Sequence, residues 1–254
     1  MNLLGTILVY AGLLFFLAGG LSILRPLTFL NIWTRLQGLV LVVGGVVVFL
    51  IGAKLPAKAQ RIETPFTHLD EFVPTYQFDE FHTIRIKAPR ERVYAAVGNV
   101  TADEITLFRT LTWIRRLGQA GRESILNPPP SEPILAVALR TSFLKLAEEP
   151  NREIVLGTLV AAPKGTQLKK DPAPEDFKAL RSPGFAVAAI NFRVEDATHG
   201  ETVLTTETRV YTTEASVLKK FGAYWRVIYP GSALIRVMWL RAIRNRAERM
   251  PGNT

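Results

Sequence analysis

Two long apolar runs open the chain, and the alternation of polar and apolar residues that is typical of a folded domain begins only after them. Residues 3–24 carry no charged side chain over 22 residues, and a second uncharged run covers residues 36–53. At about 1.5 Å per residue, the first run can cross a hydrocarbon core of about 30 Å. The pattern predicts a transmembrane hairpin within residues 1–54. A signal peptide is the competing interpretation, but no basic residue precedes the first run and no small-residue cleavage site follows it.

Glycines are the expected contact points between the two apolar helices, because small residues let helices approach closely in a membrane. The candidate pairs are Gly12, Gly19 and Gly20 against Gly44 and Gly45.

The basic residues around the hairpin indicate its orientation. Arg25 and Arg35 lie in the turn, whereas Lys54, Lys58 and Arg61 follow the second run. A hairpin places its two ends on one side of a membrane, and an excess of Lys and Arg favours the cytoplasmic side. The sequence therefore predicts an integral membrane protein, of the bacterial inner membrane, whose large domain is cytoplasmic.

A linker and a mixed domain are expected after the hairpin. Pro56, Pro65 and Pro74 predict an extended linker over residues 55–79 that follows the membrane surface. From His82 the side chains alternate with the two-residue period of a half-buried strand. A helix is expected from Pro89, and a second helix is expected to begin with a capping box of Thr101 and Glu104 and to run to Gly118. Further strands are expected at residues 142–148, 152–160, 184–195 and 201–213, with one helical turn at residues 175–180.

The last long segment, residues 214–250, has the spacing of a single amphipathic helix. Apolar residues recur at three- and four-residue steps, at Val217, Leu218, Phe221, Tyr224, Trp225, Ile228, Ile235, Met238 and Ala242. Pro230 removes one backbone hydrogen bond, so the helix should bend there. A bent helix that faces a sheet suggests a lid over a cavity, with Pro230 and Gly231 as its gate.

The positive charge is distributed unevenly along the chain, and its distribution indicates which kind of partner the protein binds. The net charge of +9 divides into +5 for residues 1–61, −2 for residues 62–213 and +6 for residues 214–254. Because the positive charge flanks the apolar runs and the terminal helix, it fits an anionic membrane surface better than nucleic acid. The chain has no cysteine and only three scattered histidines, so we expect no metal site and no cofactor.

Two motifs then resemble a known superfamily. The opening HTIRIKAPRERVYAAV at residues 82–97 and the closing YWRVIYPGSALIR at residues 224–236 are similar to the helix-grip (SRPBCC) superfamily of START lipid-transfer domains, Bet v 1-type allergens and polyketide cyclases, within an uncharacterised bacterial branch. The resemblance covers residues 80–249. It implies an α+β fold over residues 80–254, in which a curved antiparallel sheet wraps around a long C-terminal helix and leaves an apolar cavity. The sequence departs from the pattern in showing about five strands instead of six or seven and in carrying the hairpin.

The candidate ligand-binding residues are those that would line such a cavity. His82 is either a core histidine or a polar group that orients a ligand, and a carboxylate beside it, Asp79 or Glu80, leaves acid–base chemistry as an alternative. Arg140 follows a buried run and needs a partner, either a protein carboxylate or an anionic head group. The remaining candidates, which could equally be plain core, are Trp113, Ala188, Phe192, Tyr224 and Trp225.

These observations predict membrane-anchored binding or transfer of a hydrophobic ligand, such as a lipid or isoprenoid. The expected partners are membrane lipid and a hydrophobic small molecule, and no nucleic acid. Two alternatives stay open: a cyclase- or hydrolase-like enzyme that acts on an apolar substrate, and a structural membrane protein whose core is filled by side chains. No nucleophile elbow, zinc-protease or phosphate-loop motif identifies a catalytic residue.

Overall fold

The structure is a computed structural model that describes residues 3–167, 169 and 171–249. The chain divides into two compact units: unit 1 comprises Met1–Lys58 and Leu218–Pro230, and unit 2 comprises Ala59–Val217 and Gly231–Thr254.

The helices are α1 (Leu3–Leu24), α2 (Arg35–Lys54), α3 (His68–Phe72), α4 (Arg90–Asn99), α5 (Phe108–Arg115), α6 (Ile134–Thr141), α7 (Pro174–Ala179) and α8 (Ala215–Arg249). The strands are β1 (Gln60–Arg61), β2 (Thr75–Tyr76), β3 (Phe78–Ile86), β4 (Phe143–Glu149), β5 (Glu153–Ala161), β6 (Ala186–Asp196) and β7 (Thr202–Thr212). Short 3₁₀ helices occur at Thr28–Leu30, Ala102–Glu104 and Thr198–Gly200.

In unit 1, helices α1 and α2 pack along a seam of buried glycines spaced seven residues apart. The seam consists of Gly5, Gly12, Gly19, Gly38, Gly45 and Gly52. A Cβ on Gly12 would lie 2.5 Å from the backbone nitrogen of Phe49, and a Cβ on Gly45 would lie 2.5 Å from that of Phe16. The two backbones therefore touch directly, and a seven-residue repeat keeps the same face of each helix turned towards its partner.

The predicted hairpin helices agree with α1 and α2, but two of the predicted contact points are wrong. Gly12, Gly19 and Gly45 are confirmed, whereas a Cβ on Gly20 or Gly44 would meet nothing within 4 Å. Gly20 and Gly44 lie one residue away from the seven-residue repeat, which turns them about 100° around the helix. Both helices are long and apolar enough to span a membrane, and most of their large apolar side chains are exposed.

The first half of α8 also belongs to unit 1 and is fastened to the hairpin. The guanidinium of Arg226 donates to the carbonyl oxygens of Ala53 at 2.8 Å and Leu55 at 2.5 Å. These carbonyls lie at the C-terminal end of α2, where a helix has no intrahelical donors left. The hydroxyl of Tyr10 donates to the carbonyl oxygen of Val227 at 2.6 Å.

Unit 2 contains a five-stranded antiparallel sheet in the order β3-β7-β6-β5-β4. The α+β class with this sheet and a long C-terminal helix is confirmed, and the predicted strands are found with small shifts at their ends. One face of the sheet, the inner face, packs against α4, α6 and the second half of α8, with Phe192, Leu204 and Trp239 in the core between them. The opposite, outer face is covered by α3 and α7, through Leu69, Phe72 and Phe177. Strand β6 is buried on both faces, which accounts for its nearly continuous apolar sequence.

Residues 67–79 are not the extended linker that was predicted. Thr67 and Asp70 form a capping box that begins α3, and Leu69, Phe72 and Val73 are buried against the outer face. Strand β3 begins at Phe78 rather than at His82. The alternation of buried and exposed side chains already starts there, because Phe78 and Glu80 are buried as well. Of the prolines that suggested a linker, Pro74 lies at a bend between α3 and β2, within the segment that buries apolar side chains, whereas Pro56 and Pro65 lie in irregular stretches before it.

The single helix predicted from Thr101 to Gly118 is also wrong. The capping box of Thr101 and Glu104 is present, but it begins only the 3₁₀ helix Ala102–Glu104, and Ile105 is extended. Leu107 has a left-handed backbone with φ 60°, directly before α5. The break allows both Ile105 and Phe108 to enter the core, so tertiary burial overrides the local helical pattern.

Helix α8 is confirmed from Ala215 to Arg249 and continues through Pro230. Met250, the last residue of the predicted helix, lies outside the described residues.

Candidate functional site

A cluster of polar side chains lies between the inner face of the sheet and the second half of α8. The alternation of β3 places Glu80 and His82 on the inner face, next to the apolar residues Ile84 and Ile86. The side chain of Glu80 is only 1% exposed and that of His82 is 17% exposed. A carboxylate in such surroundings requires hydrogen-bond partners, since burying an unpaired charge is strongly unfavourable.

Both oxygens of the Glu80 carboxylate have a partner. Ser232 of α8 donates its hydroxyl to Oε2 at 2.9 Å. The Nε2 atom of His82 lies 3.1 Å from Oε1. The carboxylate therefore joins the first strand of the sheet to the terminal helix.

Arg236 lies one helical turn beyond Ser232 and is the cation of the cluster. Its Nη2 atom donates to the hydroxyl of Thr208 at 3.2 Å, and Thr208 is the residue directly opposite Glu80 in the β3–β7 pairing. The guanidinium lies 5.1 Å from the ring centroid of Trp239 and 5.9 Å from that of Phe192. Burial lowers the pKa of Arg236, the charge of Glu80 opposes this effect, and the charge of Arg115 adds to it.

Two donors of this cluster have no hydrogen-bond acceptor within the part of the chain that the structure describes. They are Nη1 of Arg236 and Nε1 of Trp239, and both atoms are buried. A buried donor without an acceptor costs about 1–3 kcal/mol, and more when it is charged. The cluster thus contains two buried donors, one of them on a cation, whose hydrogen bonds are not made within the described chain.

The order of the groups around Glu80 does not favour nucleophilic catalysis. In a Ser-His-carboxylate triad the imidazole receives the proton of the serine. Here the carboxylate stands between Ser232 and His82 and accepts from the serine hydroxyl itself. The cluster therefore places fixed polar groups beside the apolar side chains of the inner face.

The outer face of the sheet holds a second buried polar network, which connects the segment around α3 to the strands. Arg209 of β7 donates to both carboxylate oxygens of Glu207, at 2.6 and 3.0 Å, and to Asp70 at 2.6 Å. Its guanidinium also lies 4.8 Å from the ring centroid of Tyr76. Burial alone would raise the pKa of Asp70, but hydrogen bonds from the amides of Phe66 and Thr67 and from Arg209 outweigh it and lower the pKa.

A cavity of about 740 Å³ lies at the edge of the sheet near β4, lined by α6, β5 and α7. Arg140 is among its lining residues, together with apolar residues such as Phe143 and Phe177. Arg140 is half exposed and pairs with Glu123 at 2.5 Å and Glu132 at 2.7 Å. The sequence left two kinds of partner open for Arg140, a protein carboxylate or an anionic head group. In the structure, Arg140 is paired with protein carboxylates.

The structure brings together only some of the residues that the sequence singled out. His82 lies beside Glu80, and the ring of Phe192 packs 5.2 Å from that of Trp239. Ala188 is buried further along β6, two residues from Ile190 on the inner face.

The other predicted residues lie elsewhere. Trp113 is 56% exposed on α5, and Tyr224 and Trp225 belong to unit 1, where Phe221 packs on both rings. Pro230 ends the α8 segment of unit 1, and Gly231 begins that of unit 2.

Sequence reasoning missed Ser232, Arg236, Trp239 and Thr208. A signal for three of them was present, because Ser232, Arg236 and Trp239 follow each other at four- and three-residue steps and so share one face of α8. Glu80 was identified only as a possible acid beside His82, although its place in the alternation of β3 put it on the same face.

Comparisons with known proteins identify no family. No protein-family model matches the chain, and no curated protein matches it. Among solved structures, the chain is similar to a hypothetical protein from Helicobacter pylori, with 8% identity, a TM-score of 0.34, and coverage of 73% of this chain and 95% of that chain. It is also similar to CalU16 from Micromonospora echinospora, with 15% identity, a TM-score of 0.27, and coverage of 75% of this chain and 92% of that chain. A protein from Nitrosospira multiformis shows 13% identity, a TM-score of 0.25, and coverage of 61% of this chain and 94% of that chain. These similarities are too distant to carry an argument about function.

Proposed function

We propose that this protein is a membrane-anchored helix-grip protein that binds an amphipathic ligand beneath its terminal helix. The observation that carries the proposal is the pair of buried donors without acceptors, Arg236 Nη1 and Trp239 Nε1. The acceptor oxygens of an anionic group, such as a carboxylate or phosphate, would satisfy these donors. Its apolar body would then lie along the inner face, beside Phe192.

The apolar hairpin supports the anchor. Both of its helices expose large apolar side chains along most of their length, which is unfavourable in water and favourable in a bilayer. An anchor of this kind would keep the ligand-binding unit near a membrane that contains amphipathic molecules.

Ligand retention by the full chain tests the proposal. The full chain is purified in detergent, and the organic molecules that it retains are extracted and measured by mass spectrometry. We expect an amphipathic molecule with an acidic or carbonyl end, and we expect Arg236→Met to lower its retention about tenfold or more, since a hydrogen bond to a charged group contributes about 1.5–3 kcal/mol.

Two further variants make the result specific. Arg241→Met removes an exposed arginine from the same helix and should leave retention unchanged. Arg140→Met tests the cavity at the edge of the sheet, and a loss confined to this variant would contradict the proposed position. Equal retention in the wild type and in Arg236→Met, or no retained molecule in the wild type, would also contradict the proposal.

The Arg236→Met variant is expected to fold. The exchange removes a buried donor, Nη1, that has no acceptor in the described chain. Glu80, whose charge acts on Arg236, keeps its partners Ser232 and His82 in the variant. An unchanged thermal unfolding midpoint in the ligand-free protein would show that any loss of retention reflects binding and not unfolding.

A further inference from the structure

Unit 1 carries a positive charge that no carboxylate within the unit neutralises. Its cations are Arg25, Arg35, Lys54, Lys58, Lys219, Lys220 and Arg226, and residues 1–58 and 218–230 contain no Asp or Glu. The charge of these two segments is therefore +7 from 7 basic and 0 acidic side chains. Anions that balance this charge must come from outside the unit.

Three of these cations lie at the end of the hairpin where α2 ends, and two more precede one of them along α8. Lys54 is the last residue of α2 and Lys58 follows it closely. Arg226 donates to the carbonyl oxygens of Ala53 and Leu55, so it fastens α8 at this end. Lys219 and Lys220 precede Arg226 by two helical turns or less, about 10 Å at 1.5 Å per residue, and both are exposed.

Aromatic side chains occupy the same stretch of α8. The ring of Trp225 lies 5.7 Å from that of Phe221 and 6.1 Å from that of Tyr229, and Tyr224 is 43% exposed. Tryptophan and tyrosine are enriched at the boundary between hydrocarbon and water. Phe221 and Trp225 are buried within this stretch, so Tyr224 is the aromatic residue that, together with the exposed Lys219 and Lys220, can lie at the level of lipid head groups.

A shallow, largely open apolar groove lies beside the lysine end of α2. It has a volume of about 390 Å³ and is lined by Val47, Leu50, Ile51, Lys54, Leu55 and Pro56. The lining is apolar except for Lys54, which lies at the end of α2. A shallow apolar surface that ends in one cation matches an acyl chain that is attached to an anionic head group.

We propose that unit 1 holds an anionic phospholipid, with an acyl chain along Val47, Leu50 and Ile51 and with its phosphate near Lys54 and Lys58. The inference rests on the proposed membrane anchor and concerns a site that is separate from the ligand site in unit 2. Lys219 and Lys220, which lie within about 10 Å of Arg226 along α8, add positive charge to the same unit and strengthen the preference for anionic over zwitterionic lipid.

Native mass spectrometry of the full chain tests this site. The protein in detergent is titrated with phosphatidylglycerol or with phosphatidylcholine of the same acyl chains, and lipid-bound species are counted. We expect a preference for phosphatidylglycerol that falls about fivefold for each lysine removed, which corresponds to about 1 kcal/mol per basic residue at an anionic surface. The double variant Lys54→Gln/Lys58→Gln should therefore lose more than a factor of about ten.

The turn of the hairpin supplies the matched control. Arg25→Gln/Arg35→Gln removes the same number of charges at the opposite end and should keep the preference. An equal loss in both double variants would overturn the site, because it would show a response to net charge alone. Equal binding of the two lipids by the wild type would overturn it as well.

Two measurements separate this site from other sources of the same chemistry. Glycerol phosphate has the anionic head without acyl chains and should not displace phosphatidylglycerol; displacement would contradict the role of the groove. Ligand retention that depends on Arg236 should be unchanged in Lys54→Gln/Lys58→Gln, so the two proposals can fail independently.

Discussion

Unit 1 and unit 2 differ in how their elements pack and in whether their charged side chains are paired. In unit 1, the helices α1 and α2 touch backbone to backbone at Gly12 and Gly45, and the unit has no carboxylate. In unit 2, Arg209 is buried between Asp70 and Glu207, so charge lies inside the protein and is paired there. The contrast shows that α1 and α2 pack through close contact of their backbones, whereas the sheet unit also holds paired charges in its interior.

The largest effect is expected from breaking the buried charge network. Arg209→Met leaves Asp70 and Glu207 buried without their cation, and breaking a buried pair typically costs about 3–5 kcal/mol. We expect a large decrease in the thermal unfolding midpoint of the full chain in detergent.

Arg140→Met is the matched control for that variant, because Arg140 also pairs with two carboxylates. The Arg140 side chain is 47% exposed and that of Arg209 is 5% exposed, and water screens the exposed pairs. An unfolding midpoint close to that of the wild type is expected for Arg140→Met. Similar decreases in the two variants would contradict the distinction between buried and exposed pairs.

The second effect concerns the glycine seam. Gly45→Leu introduces a side chain where even a Cβ would be 2.5 Å from backbone, and overpacking of this kind costs about 1–3 kcal/mol or more. The variant should separate α1 from α2, which would appear as faster proteolysis of the hairpin connection and as a lower unfolding midpoint.

Gly44→Leu adds the same side chain one residue earlier, where nothing lies within 4 Å. It should behave as the wild type does. Equal sensitivity of the two variants would show that helix propensity, and not the contact between backbones, explains the glycines.

The smallest effect is a dependence of stability on pH. The folded state lowers the pKa of Asp70, so its contribution is present above the unfolded value of about 3.9 and is lost as the pH falls through the folded value. The free energy of unfolding of the wild type should therefore decrease with falling pH below about 4. Asp70→Asn has no carboxylate to protonate and should show a shallower slope in that range; an identical slope would remove Asp70 as a contributor.

The sequence predicted the elements that have a clear period. The apolar runs predicted α1 and α2, the three- and four-residue spacing predicted α8, and the alternation from His82 predicted part of β3. It also contained the seven-residue glycine repeat, which indicates the positions of the seam correctly. The predicted contacts at Gly20 and Gly44 lie one residue away from that repeat. These features are local, and the backbone period alone places the side chains on one face.

The candidate site could not be predicted in the same way. Glu80 and Ser232 are 152 residues apart, and each looks like an ordinary solvated residue in its own segment. Arg236 has the same appearance, since a helix with many arginines is usually exposed along its polar face.

The sequence by itself determined that the chain has an apolar hairpin, an antiparallel sheet and a long terminal helix, because periodicity and apolar length are properties of neighbouring residues. Only the tertiary structure decided that residues 67–76 cover the outer face and that Glu80 meets Ser232 beside Arg236. Such contacts depend on the pairing register of distant elements, and that register is set by burial of both faces of the sheet at once.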